Sequence, residues 1–164
     1  MSRFAVLLVF ACALVPFAGA DDKKKDTKKD NKKDELKLSA DEQAVIDRTN
    51  DERKTLDLKP LKANAQLMEA ARKHAENMAK QDKLDHVLDD KNPGDRTKAA
   101  GYKSGFVGEN VAWNQKGPKE VVATWMDSEG HRDNMLNKDY TEIGVAVAKN
   151  AKGQPYWVQV FGRE

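Results

Sequence analysis

The first periodic stretch of the chain places apolar residues on one face of a predicted helix. It opens at Ser39-Ala40-Asp41-Glu42, a capping-box pattern in which the Ser39 and Glu42 side chains bond each other's backbone N–H groups. The helix is predicted to run to about Leu56. Asn50 and Arg53 continue near its inner face, where buried polar groups need partners, so we expect them to tie the helix to a loop. The apolar face consists of Val45, Ile46 and Thr49.

A second helix is predicted from the cap Asn64 to about Gln81. His74 lies on its apolar stripe, and we interpret it as a core histidine with one hydrogen-bond partner. The stripe contains Leu67, Ala70, Ala71, His74, Ala75 and Met78.

The second half of the chain carries the alternation of β-strands. Residues 143–148 and 156–161 are rich in β-forming side chains and are joined by residues 150–154, a hairpin pattern. The alternation of residues 109–113 predicts another strand or extended segment. Helices first and a hairpin last favour the α+β class with an antiparallel sheet.

The amino-terminal part of the chain differs in composition from the rest. Residues 1–20 combine Arg3, an apolar run and Ala18-Gly19-Ala20, which predicts a signal peptide cleaved after Ala20. Cys12, the only cysteine, would leave with it. Residues 21–37 are almost entirely Lys and Asp and are predicted to be a disordered linker. Residues 38–164 then form one domain. The formal net charge of +2 points to no nucleic-acid partner.

The stretch from Trp125 to Asn137 is dense in side chains that can perform chemistry. Ser128 is a candidate cap for a short helix over residues 131–136, which places His131 in its first turn. The positive end of the helix dipole there favours the neutral imidazole that a metal ligand or general base requires. A serine hydrolase built on Ser128 and His131, with Glu109 orienting the imidazole, is one interpretation. No G-x-S-x-G elbow surrounds Ser128, and its capping role is the simpler explanation.

From about Ala44 to Phe161 the chain resembles the CAP superfamily, the SCP-like and pathogenesis-related-1-like proteins, in its short secreted bacterial form. The resemblance implies an α-β-α sandwich with a central antiparallel sheet and a large open cleft. The matching motifs, in chain order, are Asn50-x-x-Arg53, Pro60-Leu61, Ala71-x-x-His74-Ala75-x-x-Met78-Ala79, Asp85-His86, Ala99-Ala100-Gly101-Tyr102, Gly108-Glu109-Asn110, Trp125-Met126, Ser128-x-Gly130-His131-Arg132-x-Asn134-x-Leu136 and Gly144-Val145-Ala146.

The same resemblance implies a cation site in the cleft. Two histidines and two glutamates line the family's cleft and hold a divalent cation, often zinc. By position they correspond to His86, Glu109 and His131, whereas Ser128 stands where the second glutamate is expected. Two histidines and one carboxylate would leave a tetrahedral ion one open position.

Two functions follow as hypotheses. The first is a secreted, extracellular or periplasmic CAP-domain protein that binds zinc or another divalent cation and a small or lipid-like ligand, with an extracellular or cell-envelope partner. The second is a metal-dependent, peptidase-like hydrolase acting on extracellular or envelope material, which would lose turnover on chelation. In a third interpretation the cleft residues only join loops, so replacing His131 would cost stability alone. No transmembrane segment is predicted in the mature chain.

Overall fold

The structure is a computed structural model that describes residues 36–163 together with Met1. The predicted signal peptide and nearly all of the predicted linker lie outside these residues. The described elements, in chain order, are α1 (Ala40–Lys54), β1 (Lys62–Ala63), α2 (Ala65–Gln81), α3 (Pro93–Ala99), β2 (Val107–Trp113), α4 (Pro118–Asp127), α5 (Glu129–Leu136), β3 (Glu142–Lys149) and β4 (Pro155–Gly162).

The helix starts follow the capping residues that the sequence predicts. Ser39 and Glu42 form the reciprocal capping box of α1. Asn64 caps α2 by accepting from the backbone N–H groups of Gln66 and Leu67. Ser128 is the residue before α5, but its side chain makes no capping hydrogen bond, so the predicted capping role of its hydroxyl is wrong.

The sheet has four strands in the order β1-β3-β4-β2. The predicted hairpin is confirmed, since β3 and β4 pair antiparallel, and β2 pairs antiparallel with β4. The predicted fully antiparallel sheet needs one correction, because β1 adds two residues parallel to β3. A two-residue strand is too short to produce alternation in a sequence.

Helices cover both faces of this sheet, which confirms the α-β-α sandwich. α2 packs on β3 and β4 through an apolar cluster that includes Leu67, Ala75 and Val158. The other face is covered by α1, α4 and α5 around a second cluster that contains Trp125 and Trp157. Because side chains alternate along a strand, neighbouring residues of β2 point to opposite layers.

Polar side chains of α1 join distant segments, as the sequence predicts. The Asn50 amide donates to the Leu61 carbonyl and accepts from the Leu61 N–H. Arg53 donates to the carbonyls of Lys59, Met135 and Asn137.

Candidate functional site

The centre of the candidate site is a hydrogen bond between His86 and Glu109. His86 lies in the loop between α2 and α3, and Glu109 lies in β2 on the face covered by α2. The imidazole Nδ1 is 2.9 Å from the carboxylate Oε1 of Glu109. The Glu109 side chain is 1% exposed and that of His86 is 49% exposed. A buried carboxylate therefore fixes a half-exposed imidazole, whose other nitrogen, Nε2, bonds none of the described residues.

Arg96, in α3, completes the surroundings of this carboxylate. Its Nη2 donates to Glu109 Oε2 at 2.6 Å, so both carboxylate oxygens are engaged. Its Nη1 donates to the backbone carbonyl oxygens of His86, at 3.0 Å, and Lys91, at 2.7 Å. Arg96 thus holds both the partner of the imidazole and the backbone that carries it. The sequence does not single out Arg96, because an arginine in a short polar helix gives no local signal. The one indication is that a buried carboxylate needs a cation.

His74 lies behind Glu109, in the core. It is 0% exposed, and its Nε2 donates to the carbonyl oxygen of Asp85 at 2.9 Å. This is the core histidine with one hydrogen-bond partner that the sequence predicts. The same Nε2 is 3.8 Å from Glu109 Oε1, a proximity that the sequence does not indicate. Burial lowers the pKa of His74, which favours its neutral form.

His131 approaches the site from the opposite layer. The side-chain amide of Asn110 donates to the backbone carbonyl of His131 at 3.0 Å. Asn134, one turn further along α5, donates to the Glu109 carbonyl at 3.2 Å and to the Asn110 side chain at 2.9 Å. These bonds attach α5 to the edge strand β2. The bonds to Glu109 and Asn110 therefore hold His86 against one face of β2 and the backbone of His131 against the other. We call His86, Glu109 and His131 the cleft residues, after the cleft that the resemblance implies.

The two imidazoles of the cleft have opposite electrostatic environments. The hydrogen bond that His86 donates to Glu109 raises the pKa of His86 above its usual value. Burial, followed by the charge of nearby His86, lowers the pKa of His131. The neutral form of His131 is thus favoured, as the sequence predicts, and burial is its first cause.

The serine hydrolase interpretation finds no support in this geometry. The Glu109 carboxylate bonds His86 and Arg96 and therefore does not orient His131. The Nδ1 of His131, which a triad carboxylate would contact, is buried without a hydrogen-bond partner in the described part of the chain.

The sequence predicts that His86, Glu109 and His131 hold a metal ion. Within residues 36–163, no three His, Cys, Asp or Glu side chains are grouped as metal ligands. Glu109 has both oxygens engaged, whereas Nε2 of His86 has no partner among residues 36–163. A carboxylate that accepts from the second nitrogen of a ligating histidine is a common arrangement around metals. In this arrangement Nε2 of His86 is the atom that could ligate an ion, and the metal site of His86, Glu109 and His131 stays a prediction.

The sandwich, the cleft and its motifs define a protein class, which comparison with known proteins identifies. The chain belongs to the cysteine-rich secretory protein family, CAP, whose family model matches residues 46–161. The chain is 39% identical over 125 residues to the uncharacterized protein YkwD of Bacillus subtilis, covering 76% of this chain and 48% of YkwD. It therefore spans about half the length of this relative.

Solved structures show the same fold. An outer surface protein of Borrelia burgdorferi superposes with a TM-score of 0.73 at 22% identity, covering 79% of this chain and 96% of that one. An extracellular protein of Bacillus anthracis that contains an SCP domain superposes with a TM-score of 0.70 at 26% identity. The match covers 79% of this chain and 45% of that protein. Among the helices of the described residues, none has the length and apolar character needed to cross a membrane.

Proposed function

We propose that this chain is an extracellular CAP-domain protein that binds a divalent cation, zinc in the first instance, between His86 and His131. The cleft would use the cation to recognise a small or lipid-like ligand of the cell envelope. The observation that carries the proposal is the 2.9 Å hydrogen bond from His86 Nδ1 to the buried Glu109 carboxylate. It holds the ring in one tautomer, with the proton on Nδ1 and the lone pair of Nε2 directed to a ligand.

His131 supports the proposal through its neutral form. Its lowered pKa keeps the imidazole uncharged near neutral pH, as a metal ligand must be. Because its Nδ1 is buried, Nε2 is the nitrogen that would reach the cation. Two protein ligands leave the remaining coordination positions to water or to an external ligand, which suits a binding site with exchangeable contents.

Binding is better supported than the metal-dependent hydrolase. A hydrolase needs a carboxylate or imidazole free to take a proton from the attacking water. Glu109, the buried carboxylate of this cleft, already accepts from His86 and Arg96. Export fits the predicted signal peptide and the extracellular Bacillus anthracis protein with the same fold.

The test is calorimetric titration of zinc into the chain from Asp21 onward. We expect one ion per chain, and no binding by the double variant His86→Ala, His131→Ala. Glu109→Gln should weaken binding by about 10- to 100-fold without abolishing it, because an orienting group is altered and not a ligand. Affinity should rise with pH through the raised pKa of His86, because a proton on that ring competes with the ion.

Glu129→Gln is the matched control, because Glu129 is an exposed carboxylate two residues before His131. It should leave zinc binding unchanged. Equal binding by the wild type and the double histidine variant would overturn the proposal, as would no binding by the wild type. Peptide hydrolysis that depends on zinc and stops on chelation would favour the hydrolase instead.

A further inference from the structure

Trp113 differs from the two other tryptophans of the chain. Trp125 and Trp157 are 0% and 1% exposed, and each indole N–H donates to a backbone carbonyl. Trp113, the last residue of β2, is 42% exposed. Within the part of the chain that the structure describes, its indole N–H has no hydrogen-bond partner. A half-exposed indole with an unused donor is a frequent feature of binding surfaces.

An open cavity of about 470 Å³ lies beside this indole. Tyr156 forms its inner wall, with the Tyr156 and Trp113 ring centroids 6.4 Å apart and the rings tilted by 42°. Leu84, 45% exposed, extends the apolar surface. The lining residues are Asp82, Leu84, Trp113, Lys152, Gln154 and Tyr156.

The charged groups of the cavity compensate each other. The Lys152 ammonium is 2.8 Å from Asp82 Oδ2. The other oxygen of Asp82 accepts from the Tyr156 hydroxyl at 2.8 Å and from the Asn150 amide at 2.6 Å. A ligand would therefore meet a surface without an uncompensated charge, which favours a neutral molecule over an ion.

The cavity still offers hydrogen-bond donors to such a molecule. The Gln154 amide oxygen accepts from Asn150 at 2.9 Å, while its NH₂ group bonds none of the described residues. The N–H of Trp113 and the remaining hydrogens of the Lys152 ammonium are further donors on residues that line the same cavity. The matching ligand has an apolar face edged by oxygen acceptors. A pyranose ring has this form, whereas an acyl chain has no acceptor atoms that could bond these donors.

We propose that this cavity binds a neutral saccharide, with one sugar ring stacked on the Trp113 indole and its oxygens bonded by the indole N–H, Gln154 and Lys152. The site is distinct from the histidine cleft. Glu109 and Trp113 lie on the same face of β2 four residues apart, which is about 13 Å along a strand.

The experiment uses the three indole N–H signals in a ¹H–¹⁵N spectrum of the chain from Asp21 onward. The probes are the tetramer of N-acetylglucosamine, maltotetraose and phosphatidylglycerol vesicles. Titration with one of the two saccharides should shift the Trp113 signal in a saturable way. The signals of Trp125 and Trp157 should stay in place, because both indoles are buried and bonded to carbonyls.

Two variants complete the design. Trp113→Ala should weaken saccharide binding by about tenfold or more, because stacking on the indole is lost. Calorimetry measures this change in affinity. Phe106→Ala is the matched control: Phe106 is another exposed aromatic residue, 39% exposed, whose ring lies 4.4 Å from the Arg163 guanidinium carbon. It should bind as the wild type does.

Three results would overturn the proposal. In the first, neither saccharide shifts the Trp113 signal. In the second, Phe106→Ala loses as much saccharide binding as Trp113→Ala does. In the third, the Trp113 signal responds to the vesicles alone. None of them bears on zinc binding at His86 and His131, which is measured separately.

Discussion

Arg96 is the residue on which the charge balance of the cleft depends. The Glu109 side chain is 1% exposed, and the Arg96 side chain, 9% exposed, is the cation that bonds it. Removing one member of a buried ion pair leaves the other charge without compensation and without water. Arg96 also bonds the backbone of His86, so its loss would free the loop that carries the imidazole.

We therefore expect Arg96→Ala to lower the free energy of unfolding by about 3–5 kcal/mol. Urea denaturation followed by circular dichroism would measure the change. Lys98→Ala is the matched control, because Lys98 is an exposed cation of the same helix, and its replacement should change stability by less than about 0.5 kcal/mol. Equal effects of the two substitutions would show that the pair with Glu109 is not a stabilising contact.

The candidate site could be predicted from the sequence only where a motif marks it. Asp85-His86, Gly108-Glu109-Asn110 and Gly130-His131-Arg132 stand out through their order and spacing, and the structure brings His86 and Glu109 into direct contact. Arg96 belongs to no such motif. Its bond to Glu109 depends on the packing of α3 against β2, which the local sequence does not show. Metal binding by His86, Glu109 and His131 stays a prediction, since the residue type of Glu109 does not separate a ligand from an orienting carboxylate.

At the scale of elements, the contact between α2 and the sheet depends on a glycine, Gly144, which has no side chain. A Cβ atom at Gly144 of β3 would overlap the backbone carbon of Leu67 and the backbone nitrogen of Met68. Backbone atoms in a capped helix cannot rotate away as a side chain can. The backbone of α2, the helix that carries His74, therefore packs directly against Gly144.

Gly144→Ala should destabilise the protein by about 3 kcal/mol or more, because α2 must move off the sheet. Gly130→Ala gives the contrast, because a Cβ there meets no atom within 4 Å and the position is inside α5. Alanine is the better helix former, so this variant should be more stable by up to about 1 kcal/mol. Denaturant midpoints of both variants test the argument, and a neutral Gly144→Ala would refute it.

The elements themselves were largely predictable, because long periodic segments dominate this chain. The two long helices and the β3–β4 hairpin carry strong patterns and clear caps, and their predicted ends differ from the observed ends by two residues or fewer. β1 was not predictable, since its two residues pair with β3 through tertiary context alone. The parallel pairing that makes the sheet mixed comes entirely from this short strand.

At the scale of the whole molecule, Arg53 joins segments that are far apart in sequence. It is 1% exposed, and its guanidinium donates to the carbonyls of Lys59, Met135, Asn137 and Tyr140 at 2.9, 2.8, 2.9 and 3.4 Å. These carbonyls come from the turn after α1, the end of α5 and the approach to β3. One planar cation thereby fixes the carboxyl end of the helix that carries His131.

Arg53→Lys should cost about 3 kcal/mol of stability although it keeps the charge, because an ammonium cannot reach several carbonyls at once as a guanidinium fork does. Arg48→Lys is the control: Arg48 is an exposed arginine of the same helix, and its replacement should change stability by less than about 0.5 kcal/mol. Urea denaturation gives both values. In Arg53→Lys we also expect weaker zinc binding, since α5 is less firmly held. An Arg53→Lys variant as stable as Arg48→Lys would mean that charge alone, and not the fork of donors, holds these segments together.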